Sequence, residues 1–397
     1  VGGIDRQNLM NQNKPKLVRI TTVPVSLEKL LEGQLAFMSK EYEVVAVSSE
    51  VERLKSYGKN EGVRVFPLDL TRKITPFKDI KAVYKLYRFL KKEKPLIVHT
   101  HTPKAGIVGM MAAWLAKVPI RLHTVAGLPL METVGMRRKI LNIVEKMTYY
   151  FATRVYPNSK GLYEFILSQK FTKPGKLLII GKGSSNGIDT DYFDPSKYLK
   201  EQNEILKENI GIPKDDFVFI FVGRMVSDKG INELIKAFTN ISTKNKYLSL
   251  VLVGPFEEEL DPLLPETLKL LNSHNKIFAV GLKNDVRAYM AMAHVLVFPS
   301  YREGFPNVVM QAGAMSLPSI VSNINGCNEI VKNGINGIII PAKNILELEL
   351  SMQQMAENKN LYNELKSNSR KMIVERYQRE EIWSTLSNEY KNLKQKT

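Results

Sequence analysis

The sequence predicts an α/β protein made of two doubly wound domains, and three observations carry that prediction. Strand-like apolar runs alternate with helical patterns along the whole chain, the arrangement of parallel sheets covered by helices on both faces. The 397 residues are too many for one ordinary hydrophobic core. The alternation breaks once, at residues 181–195, a stretch dense in Gly, Ser, Asn and Asp, and then restarts.

Strands of the first set are predicted at 17–21, 42–47, 63–67, 96–100, 120–125, 155–158 and 177–180. The second set falls at 217–222, 249–253, 277–280, 295–299, 319–322 and 338–340. Each is a short apolar run, and the intervening segments carry helical spacing. Residues 1–13 are polar and read as a tag remnant or disordered start, which leaves a first domain at 14–195 and a second at 196–375. The last segment, 376–397, places Tyr377, Ile382, Trp383, Leu386, Tyr390 and Leu393 at three- and four-residue spacing. That stripe predicts a helix packed on the first domain. Open parallel sheets bind ligands outside the carboxyl ends of their strands, so two such domains facing each other place the active site in a central cleft.

With 44% hydrophobic and 24% charged residues the chain is globular. The single cysteine, Cys327, excludes an internal disulfide and suits a reducing compartment. No run of eighteen apolar residues occurs, so a cytoplasmic location is expected, or a peripheral one on the inner face of the cytoplasmic membrane. The formal charge of +17 is unevenly spread: residues 1–200 hold 34 Lys and Arg against 17 Asp and Glu, and residues 201–397 hold 23 of each. A basic half of this kind serves solubility, or attracts nucleic acid, anionic lipid or an anionic substrate.

The most informative run begins at Pro299, where Ser-Tyr-Arg-Glu-Gly-Phe-Pro-Asn-Val-Val-Met-Gln follows an apolar strand. It sets Glu303 on a loop just before a helix opening near Asn307. A helix start offers unpaired N–H groups and the positive end of the helix dipole to a phosphate. Glu303, beside that phosphate, suits a hydroxyl-bearing group attached to it, and a sugar nucleotide supplies both. Strand 217–222 runs into Gly223-Arg224-Met225-Val226-Ser227-Asp228-Lys229-Gly230. Its two cations can converge on one diphosphate, Arg224 as a planar fork and Lys229 as a point charge, or can be ordinary solvated cations.

Three of the five histidines, His99, His101 and His123, fall near the ends of consecutive strands. A lone histidine there is more often a hydrogen-bonded structural residue, although the shared edge points to function. No carboxylate stands beside them at ligand spacing. Asp189-Thr190-Asp191 resembles a metal-holding pair, but it lies among turns, where Asp caps backbone; no metal is expected. Neither the dinucleotide nor the P-loop fingerprint is present. The first strand instead enters Thr21-Thr22-Val23-Pro24-Val25-Ser26-Leu27, a loop suited to an acceptor. Residues 77–92 and 135–151 interleave basic and apolar side chains, which fits an interfacial membrane contact or a helix that buries one stripe. The aromatics fall at helical core spacing, which argues against nucleic acid.

Together these residues resemble the retaining family 4, or group 1, glycosyltransferases of GT-B fold. The resemblance rests on Gly223-Arg224 with Lys229, on Glu303-Gly304-Phe305-Pro306-Asn307, on His123, and on Asn186-Gly187-Ile188-Asp189 with Phe193. It spans nearly the whole chain from about Leu17 and implies two Rossmann-like domains facing a central cleft. The donor, a UDP-sugar, would be held by Gly223, Arg224, Lys229, Glu303, Gly304, Phe305, Pro306, Asn307, Val308 and Gln311. Catalytic roles would fall to His123, Glu303, Arg224 and Lys229. The acceptor side would take Thr22, Val25, Ser26 and His101. No metal or other cofactor is implied, and the reaction is a same-face substitution in which the leaving phosphate takes the acceptor proton.

Two positions depart from the family pattern. Gln311 stands where relatives usually carry a second glutamate for the ribose hydroxyls, and its amide oxygen accepts hydrogen bonds without charge assistance. The first-strand loop lacks the usual glycine pair and looks like that of bacterial enzymes extending polyprenyl-diphosphate-linked saccharides. The expectation is transfer of a hexose or N-acetylhexosamine to an anionic lipid-linked saccharide in surface polysaccharide synthesis, with the membrane surface as partner and no nucleic acid. An epimerase of the same fold or a non-catalytic basic binding protein are the alternatives.

Overall fold

The computed structural model describes residues 14–71, 75–257 and 261–396, so the reading of residues 1–13 lies outside it. The chain forms two compact units, one running up to Asn186 and resuming at Glu380, the other Gly187–Arg379.

The first unit holds a six-stranded parallel sheet in the order β3-β2-β1-β4-β5-β6. Its strands are β1 Lys16–Ile20, β2 Glu43–Ser48, β3 Arg64–Pro67, β4 Ile97–His101, β5 Ile120–Val125 and β6 Arg154–Pro157. Strands covered on both faces read as continuous apolar runs, which is why they stand out in the sequence. The expected strand at 177–180 is not formed. Leu177 makes one bridge to Val155, and Gly181 and Gly183, both at positive φ, then turn the chain away.

Crossovers put helices Pro76–Glu93, Pro103–Leu115 and Gly135–Phe151 on one face of this sheet, over Val18, Ile20, Val98 and Val125. The opposite face, with Leu17, Ala46, Ile97 and Leu122, is covered by the helices between β1 and β3 and by the last helix, Arg379–Gln395. That helix contributes Ile382, Leu386 and Tyr390 to the core. It begins later than its sequence stripe, and Tyr377 closes the preceding helix, Lys359–Tyr377, in the second unit.

A polar network lies under the last helix. Arg19, fully buried, donates to the Tyr390 hydroxyl at 2.9 Å and to Gln34 Oε1 at 2.6 Å, and its Nη2 stands 2.7 Å from His101 Nε2. Gln34 and Trp383 Nε1 both donate to Asn186 Oδ1, at 3.0 and 2.6 Å. The start of the crossing segment is thereby fixed to the first unit.

The second unit repeats the plan with order β12-β11-β10-β7-β8-β9. Its strands are β7 Phe217–Val222, β8 Leu248–Val253, β9 Ile277–Gly281, β10 Val295–Phe298, β11 Ser319–Ser322 and β12 Gly337–Ile340. In each sheet the strand order reverses once, between β1 and β4 and between β7 and β10. At such a point successive connections leave toward opposite faces and open a crevice at the carboxyl ends of the strands.

Candidate active site

The loops after β7 and β10 flank the reversal point of the second unit. They are tied together by backbone: Tyr301 N donates to Asp228 O at 2.9 Å, and Arg302 grips Asp228 Oδ2 through Nε and Nη2 at 2.9 and 2.7 Å. Gly230 has φ +71°, and a Cβ there would lie 2.2 Å from Pro299 O, so no other residue fits without moving that backbone.

This contact brings Lys229 Nζ to 2.5 Å from Glu303 Oε1, with the two side chains only 14% and 18% exposed. Ser300 Oγ also donates to Glu303 Oε1, at 3.2 Å. Behind them, Asn325 Nδ2 donates to Glu303 O at 3.2 Å and Gly304 O at 2.6 Å. Gly326, at φ +77°, passes so close that a Cβ would sit 2.5 Å from Gly304 O. Cys327 is buried next in sequence; burial pushes its thiol well up, the Glu303 carboxylate adding to the shift and Lys229 opposing it. A thiol held protonated in this way is a packing group rather than a nucleophile.

Helix Asn307–Ala314 opens immediately after this loop. Pro306 is its N-cap, with φ −75° and ψ 112° and no side-chain cap. The amides of Asn307 and Val308 therefore precede the helix's own hydrogen-bond ladder. Phe305 and Pro306 are buried, and Phe305 meets the Tyr377 ring edge-on at 5.4 Å. Gln311 lies one turn further, half-buried, and its side-chain amide has no hydrogen-bond partner among the described residues. Arg224, two residues beyond β7, is exposed and pairs with Glu257 Oε2 at 2.7 Å, while Gly223 N closes onto Val253 O at 2.9 Å. The two predicted cations thus each carry a carboxylate partner.

In the first unit the sequence-predicted residues occupy the carboxyl edge of the sheet. Thr22 follows β1 and reaches across the reversal point, its N and Oγ1 standing 3.2 and 2.7 Å from Thr102 Oγ1. Val25 and Ser26 are half-buried in the first turn of helix Pro24–Leu30. His101 ends β4, buried; because a guanidinium can only donate, its Nε2 accepts from Arg19 and its proton sits on Nδ1, which has no partner among the described residues. His123 stands inside β5, with Nδ1 2.8 Å from Thr100 Oγ1. Burial pushes its pKa down to about 3, so the imidazole is neutral. His99 is held between Tyr390 OH and Thr124 Oγ1 at 2.6 and 2.7 Å.

Asp189 caps a turn, accepting from Asp191 N and Tyr192 N at 3.1 and 2.8 Å. Among the described residues no group of three His, Cys, Asp or Glu is placed to hold a metal ion, and no helix is long and apolar enough to cross a membrane. Sequence reasoning missed three residues: Ser300, Asn325 and Thr102. The Asn325-Gly326 pair was a visible turn signal. Thr102 adopts φ +76°, a strained conformation for a β-branched residue, and sits at the first unit's reversal point.

Comparison with known proteins bears on the family and the fold. Residues 202–372 match the family described as glycosyl transferases group 1, and residues 30–159 match glycosyl transferase 4-like. The capsular polysaccharide biosynthesis glycosyltransferase CapM of Staphylococcus aureus is 33% identical over 378 residues, covering 94% of this chain and 96% of its own. An Escherichia coli UDP-Gal:alpha-D-GlcNAc-diphosphoundecaprenol alpha-1,3-galactosyltransferase is 31% identical, covering 90% and 92%. Among solved structures, Anabaena HepE in complex with UDP and glucose shares the fold, with a TM-score of 0.80 at 17% identity over 95% of this chain and 100% of its own. The two six-stranded parallel sheets are those of the GT-B architecture, and the chain belongs to the group 1 glycosyltransferases.

Proposed function

We propose that the chain moves a hexose or N-acetylhexosamine from a UDP-linked donor to a lipid-linked saccharide, with retention at the anomeric carbon and without a metal. The observation that carries this reading is the Lys229–Glu303 pair at the carboxyl ends of β7 and β10, beside the start of helix Asn307–Ala314. The ammonium keeps two further N–H donors for a diphosphate. Glu303 keeps its second oxygen as an acceptor for sugar hydroxyls. One ligand with a phosphate and a hydroxylated ring two bonds apart satisfies both, with the amides at Asn307 and Val308 on the phosphate and Gln311 toward the ribose.

Breaking a glycosyl–phosphate bond develops negative charge on the diphosphate, so fixed cations there lower the barrier. Lys229 and the unused nitrogens of Arg224 supply them. Glu303 is already held by Lys229 and Ser300, which suits it to orienting hydroxyls rather than attacking carbon. Retention is therefore assigned to same-face substitution, with the leaving phosphate taking the acceptor proton. His123, Thr22, Val25, Ser26 and His101 are assigned to the acceptor-facing edge of the first unit. The uridine base is supported by the E. coli relative's UDP-Gal and by HepE's UDP, and the lipid-linked acceptor by the same relative's diphosphoundecaprenol. Such an acceptor is consistent with work at the inner face of the cytoplasmic membrane.

The test is a panel of nucleotide sugars with chelator present, read by nucleotide release, with Glu303→Ala and Arg224→Ala as controls. A parent that shows neither transfer nor slow donor hydrolysis would sink the reading. Undiminished activity in both variants would sink the site. Epimerised sugar released without acceptor would favour the epimerase alternative.

A further inference from the structure

A small cavity lies under the last helix, where β4 and β6 end and the crossing segment begins. It is lined by His101 and Asn158 from the sheet, by Ser184 and Ser185 from that segment, and by Ile382 and Leu386 from the helix. About 10 Å³ of it is open to the centre of a water molecule, room for one and no more. Three buried polar atoms of these lining residues have no hydrogen-bond partner among the described residues: His101 Nδ1, Asn158 Oδ1 and Ser185 Oγ. His101 and Asn158 are only 1% and 6% exposed, so bulk solvent does not serve them. A buried polar group left unpaired is costly, and three around one void call for one shared partner.

The chemistry of the three atoms narrows what that partner is. His101 Nε2 accepts from Arg19 at 2.7 Å, so Nδ1 carries the proton and can only donate. Burial, with the Arg19 guanidinium adding to it, keeps this ring neutral. Asn158 Nδ2 is directed to Ala126 O at 3.5 Å, which leaves Oδ1, an acceptor, as its unpaired atom. A cation would meet the imidazole N–H, and an anion the amide oxygen. Water accepts from the first and donates to the second, with its other hydrogen for Ser185 Oγ.

We propose that this cavity is a binding site for one water molecule, which closes a ring of hydrogen bonds around the start of the crossing segment. The ring runs from Arg19 to Gln34 Oε1 at 2.6 Å, from Gln34 Nε2 to Ser185 O at 3.1 Å, and back through Ser185 Oγ, the water and His101 to Arg19. It braces Ser184, whose φ of +70° is strained for a residue with a side chain and whose N donates to Asn158 O at 2.8 Å. Both ring nitrogens of His101 are then spent on the interior. His101 is thus a positioning residue for the sheet edge it occupies, not a contact to the acceptor, and this holds whatever sugar is moved.

The isosteric pair Ser185→Thr and Ser185→Val tests the site, because only threonine keeps the hydroxyl. With water bound, the valine variant is expected to melt several degrees below the threonine variant. A dry cavity would reverse that order, since a valine methyl would fill it and leave nothing unpaired. Reversed or equal melting temperatures overturn the proposal. Should neither variant fold, the parent decides. Its histidine-selective nitrogen NMR spectra should show His101 protonated at Nδ1, and its crystal structure a water within about 3.2 Å of all three atoms. A proton on Nε2, or an unfilled cavity in a crystal structure that shows other buried waters, overturns the proposal. Failure to find a glycosyl donor does not touch these readouts.

Discussion

Lys229 and Glu303 are 74 positions apart in sequence and share one hydrogen bond in space. Each was legible alone, from the loop it occupies. Their pairing was not, because it depends on β7 and β10 being neighbours at the reversal of strand order. The pairing changes what mutation should do. Glu303→Gln leaves a nearly buried ammonium without its counter-charge, and Lys229→Met leaves the carboxylate so, each costing about 1–3 kcal/mol of stability. Donor turnover should fall about a hundredfold in each. Because the two act as one unit, the double variant should lose little more than either single one, measured as kcat/KM for nucleotide release. Fully additive losses would show that they work independently. His123 illustrates the opposite case: its sequence left a structural and a functional reading open, and its bond to Thr100 on the neighbouring strand was invisible there.

At the scale of elements, apolar runs identified twelve strands because parallel strands are covered on both faces. Residues 177–180 failed for a physical reason, since an apolar run specifies burial but not a pairing partner, and two glycines at positive φ end the approach to β6. The tight loop behind Glu303 was half legible. Asn325-Gly326 announced a turn, but not that the turn presses on Gly304. Gly326→Ala must both adopt a disfavoured φ and displace Gly304 O, at about 1–3 kcal/mol. It should weaken UDP binding, read by calorimetry, more than it lowers the melting temperature of the first unit. The last helix offers a second test. Tyr390→Phe removes the hydroxyl shared by Arg19 and His99 and leaves a buried guanidinium short of an acceptor. A loss of about 1–3 kcal/mol is expected, seen as a melting temperature lower by several degrees. Little or no change would mean that water reaches Arg19.

Across the whole molecule, the titratable groups taken out of water set the direction of its pH response. Burial lowers the pKa of His99 and His101 well below the usual histidine value, that of His123 to about 3, and that of His294 to about 4. All four are neutral in the folded chain and protonate near pH 6.5 when it unfolds. Their contribution is complete above pH 6.5 and is lost as pH falls toward the folded values. Glu145 opposes them. Burial raises its pKa to about 7, so the folded state holds a proton that the unfolded state releases above about pH 4.5, and its contribution is lost as pH rises through 7. Between about pH 6.5 and 4.5 the unfolded chain can therefore bind up to four protons on histidine against one retained by Glu145, and the histidines win. Each net proton is worth about 1.4 kcal/mol per pH unit, and the excess of positive charge on the first half of the chain pushes the same way as acidification raises it. The melting temperature is thus expected to be highest near neutrality and to drop by several degrees per unit between pH 6.5 and 5, while Glu145→Gln, which removes the opposing proton, should steepen that drop. A scanning-calorimetry series that stays level from pH 7.5 to 5 would mean that solvent reaches these imidazoles in the folded protein.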